Sequence, residues 1–315
     1  MAVLYDGNGK EITVSGETAK VVEPSVTDIP CVYITGTLPT SKAEGDLSVK
    51  LRYVSATEDF TDYATVKAQG DSSQYYPKKN FTVKLFKDSA METKDKRTFC
   101  GWDNRNKFVL KANWIDHSHC RNVVSARIWT KIMQTRKDFT SLPAELTGGN
   151  MAIDGFPVKV FANGIYQGLY TWNIPKDGMY GLDDDVDTNC IIQSNGYSGN
   201  SLWREGGHGS WDDELHDSKP AIISGKWSQV TTFVATSSDS DFVANFENYF
   251  DKQSLIDQYI YLIVGCIVDN IGKNQTFFTY DAVTWYGGMY DMDGTWGMRW
   301  NGNIEFNENT HPISA

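Results

Sequence analysis

Disulfide chemistry is the first thing this sequence does without. Its five cysteines, Cys31, Cys100, Cys120, Cys190 and Cys266, form no CxxC pair and keep no regular spacing. They read as reduced, mostly buried thiols. His117, His119 and Cys120 crowd into one short turn and no second ligand pair completes them, so zinc is not expected there. Basic charge is also scarce: 29 Lys and Arg face 40 Asp and Glu, a formal charge of −11 with a pI near 4.9. Nucleic acid and anionic membranes need clustered cations, so neither is expected as a partner, whereas one nucleotide needs only a few cations or a metal. Long hydrophobic runs are missing too. The longest apolar stretch, Tyr259 to Val268, is too short to span a bilayer. The opening MAVLYDGNGKEITV has neither the basic region nor the apolar region of a signal peptide. A soluble chain folded in a cytoplasm without a signal peptide is the expectation. There is no GxGxxG loop, internal repeat or low-complexity tract.

What is present is core-forming material: 40% hydrophobic and 13% aromatic residues, with 10 Trp and 16 Tyr, enough to exclude disorder. Residues 1–28 read as a polar lead segment or small β element. Residues 29–177 read as a β-rich region, 178–240 as a loop-rich insertion, and 241–315 as a return to regular structure. CVYITGTL and LSVKLRYV alternate as half-buried strands do. FTVKLF puts Phe81, Val83 and Leu85 on one face and Lys84 on the other, and KFVLKANW is a further strand. A helix is expected to begin near Asp116 or Ser118, with Val124, Ile128 and Ile132 as its apolar stripe. FPVKVFA and IYQGLYTWNIP flank Asn163-Gly164, a strong hairpin signal. The acidic run Leu182 to Asp187 reads as solvated surface, and Trp203, Trp211 and Trp227 as packing residues rather than a sugar platform. Leu255, Ile256, Tyr259, Ile260, Ile263, Val264, Ile267 and Val268 predict a helix apolar on most faces, hence deeply buried, ending at Asp269-Asn270-Ile271-Gly272.

The chemistry gathers around that helix. Phosphoryl transfer needs a carboxylate for the acceptor hydroxyl and hard oxygen ligands that hold Mg²⁺ against phosphates. Protein kinases place the base Asp after a buried helix, a metal-binding Asn five residues on, and a second metal-binding Asp after a short hairpin. Asp269, Asn274 and Asp291 stand in that order, with Asp293 completing D-x-D-G as a further ligand or a turn residue. The cation for the phosphates would be Lys84, in mid-strand, or its neighbours Lys78 and Lys79. The loop from Gln69 through Ser72 and Ser73 would cover the phosphates.

Four segments, in order over about residues 29–300, resemble the spore-coat CotH kinase-like family. They are QGDSSQYYPKKNFTVKL, KFVLKANWIDHSHCRN, FPVKVFANGIYQGLYTWNIP and MYDMDGTWG. The resemblance implies an α+β, atypical protein-kinase-like two-lobed fold, with 29–177 as the N-lobe-like part and 241–315 as a short C-lobe-like part. It implies ATP with Mg²⁺ or Mn²⁺, and transfer to Ser/Thr of a protein. It assigns Asp269 as the catalytic Asp and Asn274 and Asp291 as metal ligands. Three features depart from the family picture: Gln69 replaces an Arg, no acid after Ser118 offers a partner for Lys84, and little chain follows Asp293. These departures favour the alternative, a catalytically inactive kinase-like structural protein of a spore coat or phage particle, whose partners are assembly proteins. A metal-dependent glycosyltransferase, prompted by Asp291-x-Asp293, ranks last because hairpins rather than alternating strands and helices precede the motif.

Overall fold

The computed structural model describes residues 29–196 and 202–304, together with the two-residue strands β1 (Leu4–Tyr5) and β2 (Glu11–Ile12), which pair antiparallel. Apart from those strands, the expected lead segment 1–28 lies outside the described residues. The chain forms two compact units, one of residues 1–114 and 155–173, the other of residues 115–154 and 174–315. The architecture is α+β with a β-rich N-terminal half.

The first unit is a closed seven-stranded barrel, a closure that nothing in the strand patterns foretold. Its strands are β3 (Cys31–Thr35), β4 (Leu47–Val54), β5 (Asp59–Gln69), β6 (Asn80–Phe86), β7 (Lys107–Lys111), β8 (Gly155–Ala162) and β9 (Ile165–Asn173). The order around the barrel is β3-β4-β5-β6-β7-β9-β8, and a parallel pairing of β3 with β8 closes it. Closure leaves no sheet edge, and alternation supplies the core. Val32, Leu51, Val66, Val83, Leu110, Val160 and Trp172 are each fully buried. The longest strand, β5, carries the weakest signal in sequence, because its buried positions include Asp62, Ala64 and Ala68. Asp62 is tolerated there because Arg97 holds it through two hydrogen bonds of 3.0 and 2.9 Å. The β8–β9 hairpin turns at Asn163 and Gly164, both at positive φ (49° and 80°), as a two-residue primed turn requires.

The second unit carries a four-stranded antiparallel sheet ordered β11-β10-β12-β13, from β10 (Cys190–Ser194), β11 (Trp211–Asp213), β12 (Thr276–Thr279) and β13 (Tyr286–Gly288). Its helices are α1 (Arg121–Gln134), α2 (Ala144–Gly148), α3 (Ala221–Thr236), α4 (Asp239–Asn245) and α5 (Lys252–Val264). The stretch read as loop-rich, 178–240, therefore contains two strands and a helix of 16 residues. Trp227 and Ile223 of that helix join Cys190, Ile192, Phe277 and Trp285 in the core, with Trp203 and Trp211 packed against them. The acidic run is exposed at Asp183, Asp184 and Asp185.

Two helix faces differ from expectation. The helix α5 is not deeply buried: Tyr259 is 59% and Val264 62% exposed, and Ile256 and Ile260 face solvent with them, as does Val268 beyond its end. Its inward face is partly polar. Ser254 Oγ accepts from Gly287 N at 3.0 Å, and Gln258 Nε2 donates to the carbonyls of Thr276 (3.0 Å) and Gly288 (2.7 Å). Such bonds satisfy sheet backbone that apolar side chains would leave unpaired. The helix also stops at Val264, five residues ahead of the expected Asp269-to-Gly272 end; Gly265 caps it and Cys266 takes a left-handed backbone, φ 49°, that cannot continue it. In α1 the buried residues are Asn122, Val123, Ser125, Ala126, Trp129 and Met133, while Val124 is exposed and Ile128 and Ile132 are half-buried. Asp116 anchors the start of α1, accepting from Arg121 N at 2.8 Å and from Arg121 Nη1 at 2.6 Å. Burial works to raise the Asp116 pKa, but the Ser118 and Arg121 hydrogen bonds outweigh it and hold the carboxyl below its usual range.

Candidate functional site

Between α5 and β12 the chain makes one helical turn, Asp269–Ile271, and then runs through Gly272, Lys273, Asn274 and Gln275 into the sheet. The turn brings the D-x4-N pair together: Asn274 Nδ2 donates to Asp269 Oδ2 at 2.6 Å. Asn274 is 5% exposed, so its amide must find partners within the protein. Its Oδ1 accepts from Gln193 Nε2 at 3.2 Å, which the pairing of β10 beside β12 makes possible (Gln193 lies opposite Thr276).

Asp291 follows β13 and adopts a left-handed backbone, φ 54°, which Asp tolerates better than most residues. Its position is braced from both sides. Asn270 Nδ2 donates to the carbonyl of Tyr290 at 2.5 Å, and Asn122 Oδ1 accepts from Met292 N at 3.1 Å. The carboxyl of Asp269 is pushed above its ordinary value, first by burial and then by the negative charge of Asp291, with Lys273 pulling the other way. Two carboxylates that raise each other's cost of ionisation are what a divalent cation relieves. Asn270 Oδ1, also buried, has no hydrogen-bond partner among the described residues. With Asp269 bonded to the Asn274 amide nitrogen, the oxygens of Asn274 and Asp291 suit a hard cation such as Mg²⁺ or Mn²⁺. Asp293 lies two residues on in the next turn, half-buried. Asp269, Asp291 and Asp293 do not bring one oxygen each within 4.8 Å of one another. Among the described residues the carboxylate trio that does is the exposed Asp183, Asp184 and Asp185.

The candidate phosphate cations belong to the barrel unit. Lys84 lies on the outward alternation of β6, between Thr65 of β5 and Lys107 of β7. Lys78 Nζ donates to the carbonyls of Ala112 (2.9 Å) and Leu169 and sits 4.2 Å from the centre of the Tyr170 ring. Lys79 Nζ donates to the carbonyls of Gln74 (2.5 Å) and Tyr76 (2.7 Å), tying down its own loop. Ser72 and Ser73 lie in the helical turn Ser72–Tyr75. Ser73 Oγ accepts from Asn80 Nδ2 at 3.1 Å and fits only because Gly70 has no side chain, since a Cβ there would fall 1.8 Å away. Gln69 Oε1 accepts from Thr82 Oγ1 at 3.0 Å.

Sequence reasoning missed Lys176. Its Nζ lies 2.7 Å from Glu214 Oε1, donates to Gln193 Oε1 at 2.6 Å, and sits 4.6 Å from the centre of the Tyr290 ring. The one available signal was its place beside Pro175 at the end of a family-like block, and its acidic partner is 38 residues away in sequence. Among the described residues no helix is long and apolar enough to cross a membrane.

Comparison with curated proteins returns no match. The model of the CotH kinase protein family, by contrast, matches residues 66–314, a span that includes Asp269, Asn274, Asp291 and Lys176. With a match over most of its length, the chain belongs to the CotH kinase family.

Proposed function

We propose that this protein is a metal-dependent phosphotransferase of atypical kinase type, using ATP to phosphorylate Ser or Thr of a protein partner. In this reading the barrel unit and the second unit are the counterparts of the two kinase lobes. The observation that carries it is the 2.6 Å bond from Asn274 Nδ2 to Asp269 Oδ2 in a turn that follows α5 and precedes the hairpin leading to Asp291. Asp269 would accept the proton of the acceptor hydroxyl, and its raised pKa brings it closer to a working base. Asn274 Oδ1 and Asp291 would hold Mg²⁺ or Mn²⁺, which when bound neutralises charge on the phosphates. Asn274 thereby touches both functions, fixing the Asp269 carboxylate with its nitrogen and offering its oxygen to the metal. Asp293 would contribute as a further ligand or as a turn residue only.

The test is thermal stability with ATP and Mg²⁺ or Mn²⁺, in the wild type and in Asp291→Asn. Asn keeps the left-handed backbone that Ala would strain, so a lost response reports the carboxylate and not the turn. A nucleotide- and metal-dependent rise in Tm of several degrees, absent from the variant, is expected, since a hundredfold excess of ligand over Kd stabilises by about 3 kcal/mol. A flat response in the wild type would overturn the reading. The second reading, an inactive kinase-like structural protein of a spore coat or phage particle, draws on Lys78 and Lys79, whose ammonium groups are spent on backbone carbonyls. It would then take over.

A further inference from the structure

The hydrogen bonds around Asn274 form a chain with only one allowed direction. Lys176 Nζ donates to Gln193 Oε1 (2.6 Å), Gln193 Nε2 donates to Asn274 Oδ1 (3.2 Å), and Asn274 Nδ2 donates to Asp269 Oδ2 (2.6 Å). An ammonium group can only donate and a carboxylate can only accept, so the two ends fix both amides between them. If Gln193 flipped, its NH₂ would face the ammonium of Lys176. If Asn274 flipped, its oxygen would face the carboxylate of Asp269. Both amides are buried, at 7% and 5% exposure, so water cannot compensate for a wrong orientation. Lys176 is itself held by Glu214 at 2.7 Å. It also sits over the ring of Tyr290, whose carbonyl accepts from Asn270 and whose next residue is Asp291.

We infer that Lys176 is a positioning residue of this site, orienting the Asn274 amide through Gln193 so that its oxygen is presented for a cation and its nitrogen restrains Asp269. The inference rests on the reading of Asn274 and Asp269 given above. It adds a polar device that reaches the site through Glu214, Lys176 and Gln193. An amide oxygen has two acceptor sites, so the bond from Gln193 leaves Asn274 Oδ1 able to take a metal as well.

The experiment uses the full chain with ¹⁵N-labelled asparagine and glutamine, the Asn274 side-chain signal being assigned by its loss in Asn274→Asp. In the wild type the two Nδ2 protons should be strongly inequivalent, because one of them makes a short bond to a carboxylate. Lys176→Met is expected to collapse that inequivalence and Lys176→Arg to restore it, in proteins with unchanged far-ultraviolet circular dichroism. Gln193→Leu breaks the chain while leaving the Lys176–Glu214 pair, and it should give the same collapse even if Lys176→Met folds poorly. An Asn274 signal unmoved in both Lys176→Met and Gln193→Leu would overturn the inference. Mn²⁺ titration separates it from the reading on which it rests. Affinity should fall by roughly ten- to a hundredfold in Lys176→Met and recover in Lys176→Arg. Absence of Mn²⁺ binding in the wild type, together with the amide collapse, would remove the metal reading and uphold the orienting role.

Discussion

Lys78, half-buried in the barrel unit, and Arg136, buried in the second unit, are both cations bonded within the protein, yet their partners differ in kind. Lys78 ends on two backbone carbonyls and an aromatic ring, partners that carry dipoles but no net charge. Burial accordingly pushes its pKa down, to about 8. Arg136 bridges Asp138 and Asp251, the second at 2.7 and 2.9 Å, and these carboxylates more than offset its burial, raising its pKa. Asp251 also caps α5, accepting from Ser254 N at 2.7 Å. A cation held by dipoles thus staples backbone and stays sensitive to pH. A cation held by acids ties together segments 115 residues apart and keeps its charge.

The contrast can be broken most forcefully at Arg136. Arg136→Met should destabilise the protein by about 3–5 kcal/mol, since it leaves Asp251 facing a vacated, buried position. Urea denaturation measures this, and a loss below ~1 kcal/mol would show that the bridge is dispensable. Lys78 sharpens the other side. Its pKa is lower in the folded chain (about 8) than its ordinary value of 10.5, so between those values the unfolded chain holds more protons than the folded one. Stability contributed at this site therefore rises with pH across that window, by up to ~1.4 kcal/mol per pH unit. Stability of the wild type measured relative to Lys78→Met should show this slope, and parallel pH curves would dismiss Lys78 as its source. The smallest effect belongs to the hairpin turn. Gly164 has φ 80°, and Gly164→Ala should cost about 1–2 kcal/mol, seen as faster hydrogen exchange in β8 and β9. Unchanged exchange there would mean that barrel closure, not the turn, holds the hairpin.

Much of this was legible in the chain. Alternation marked β3, β4, β6 and β7, Asn163-Gly164 marked the hairpin, and the spacing of Asp269 and Asn274 marked the candidate site, where the two are hydrogen-bonded. What was not legible has a common physical cause. β5 hid because its inward residues are small or paired with an Arg far along the chain. α5 looks buried in sequence because it is rich in apolar residues, whereas Ser254 and Gln258 face the sheet to satisfy its backbone. Lys78 and Lys79 looked like free cations, and only folding showed that carbonyls had claimed them.

Local pattern and spacing thus determined which segments could be strands, where the chain must turn, and that a carboxylate and an amide five residues apart could meet across one helical turn. Such features depend on neighbours within a few residues, which the sequence itself supplies. Barrel closure through β3 and β8, the solvent-facing side of α5, and the chain from Lys176 through Gln193 to Asn274 were decided only by tertiary structure. Each joins groups beyond the reach of local pattern, 17 residues apart for Lys176 and Gln193 and 81 for Gln193 and Asn274, and which polar groups must be satisfied by one another is settled only when water is excluded between them.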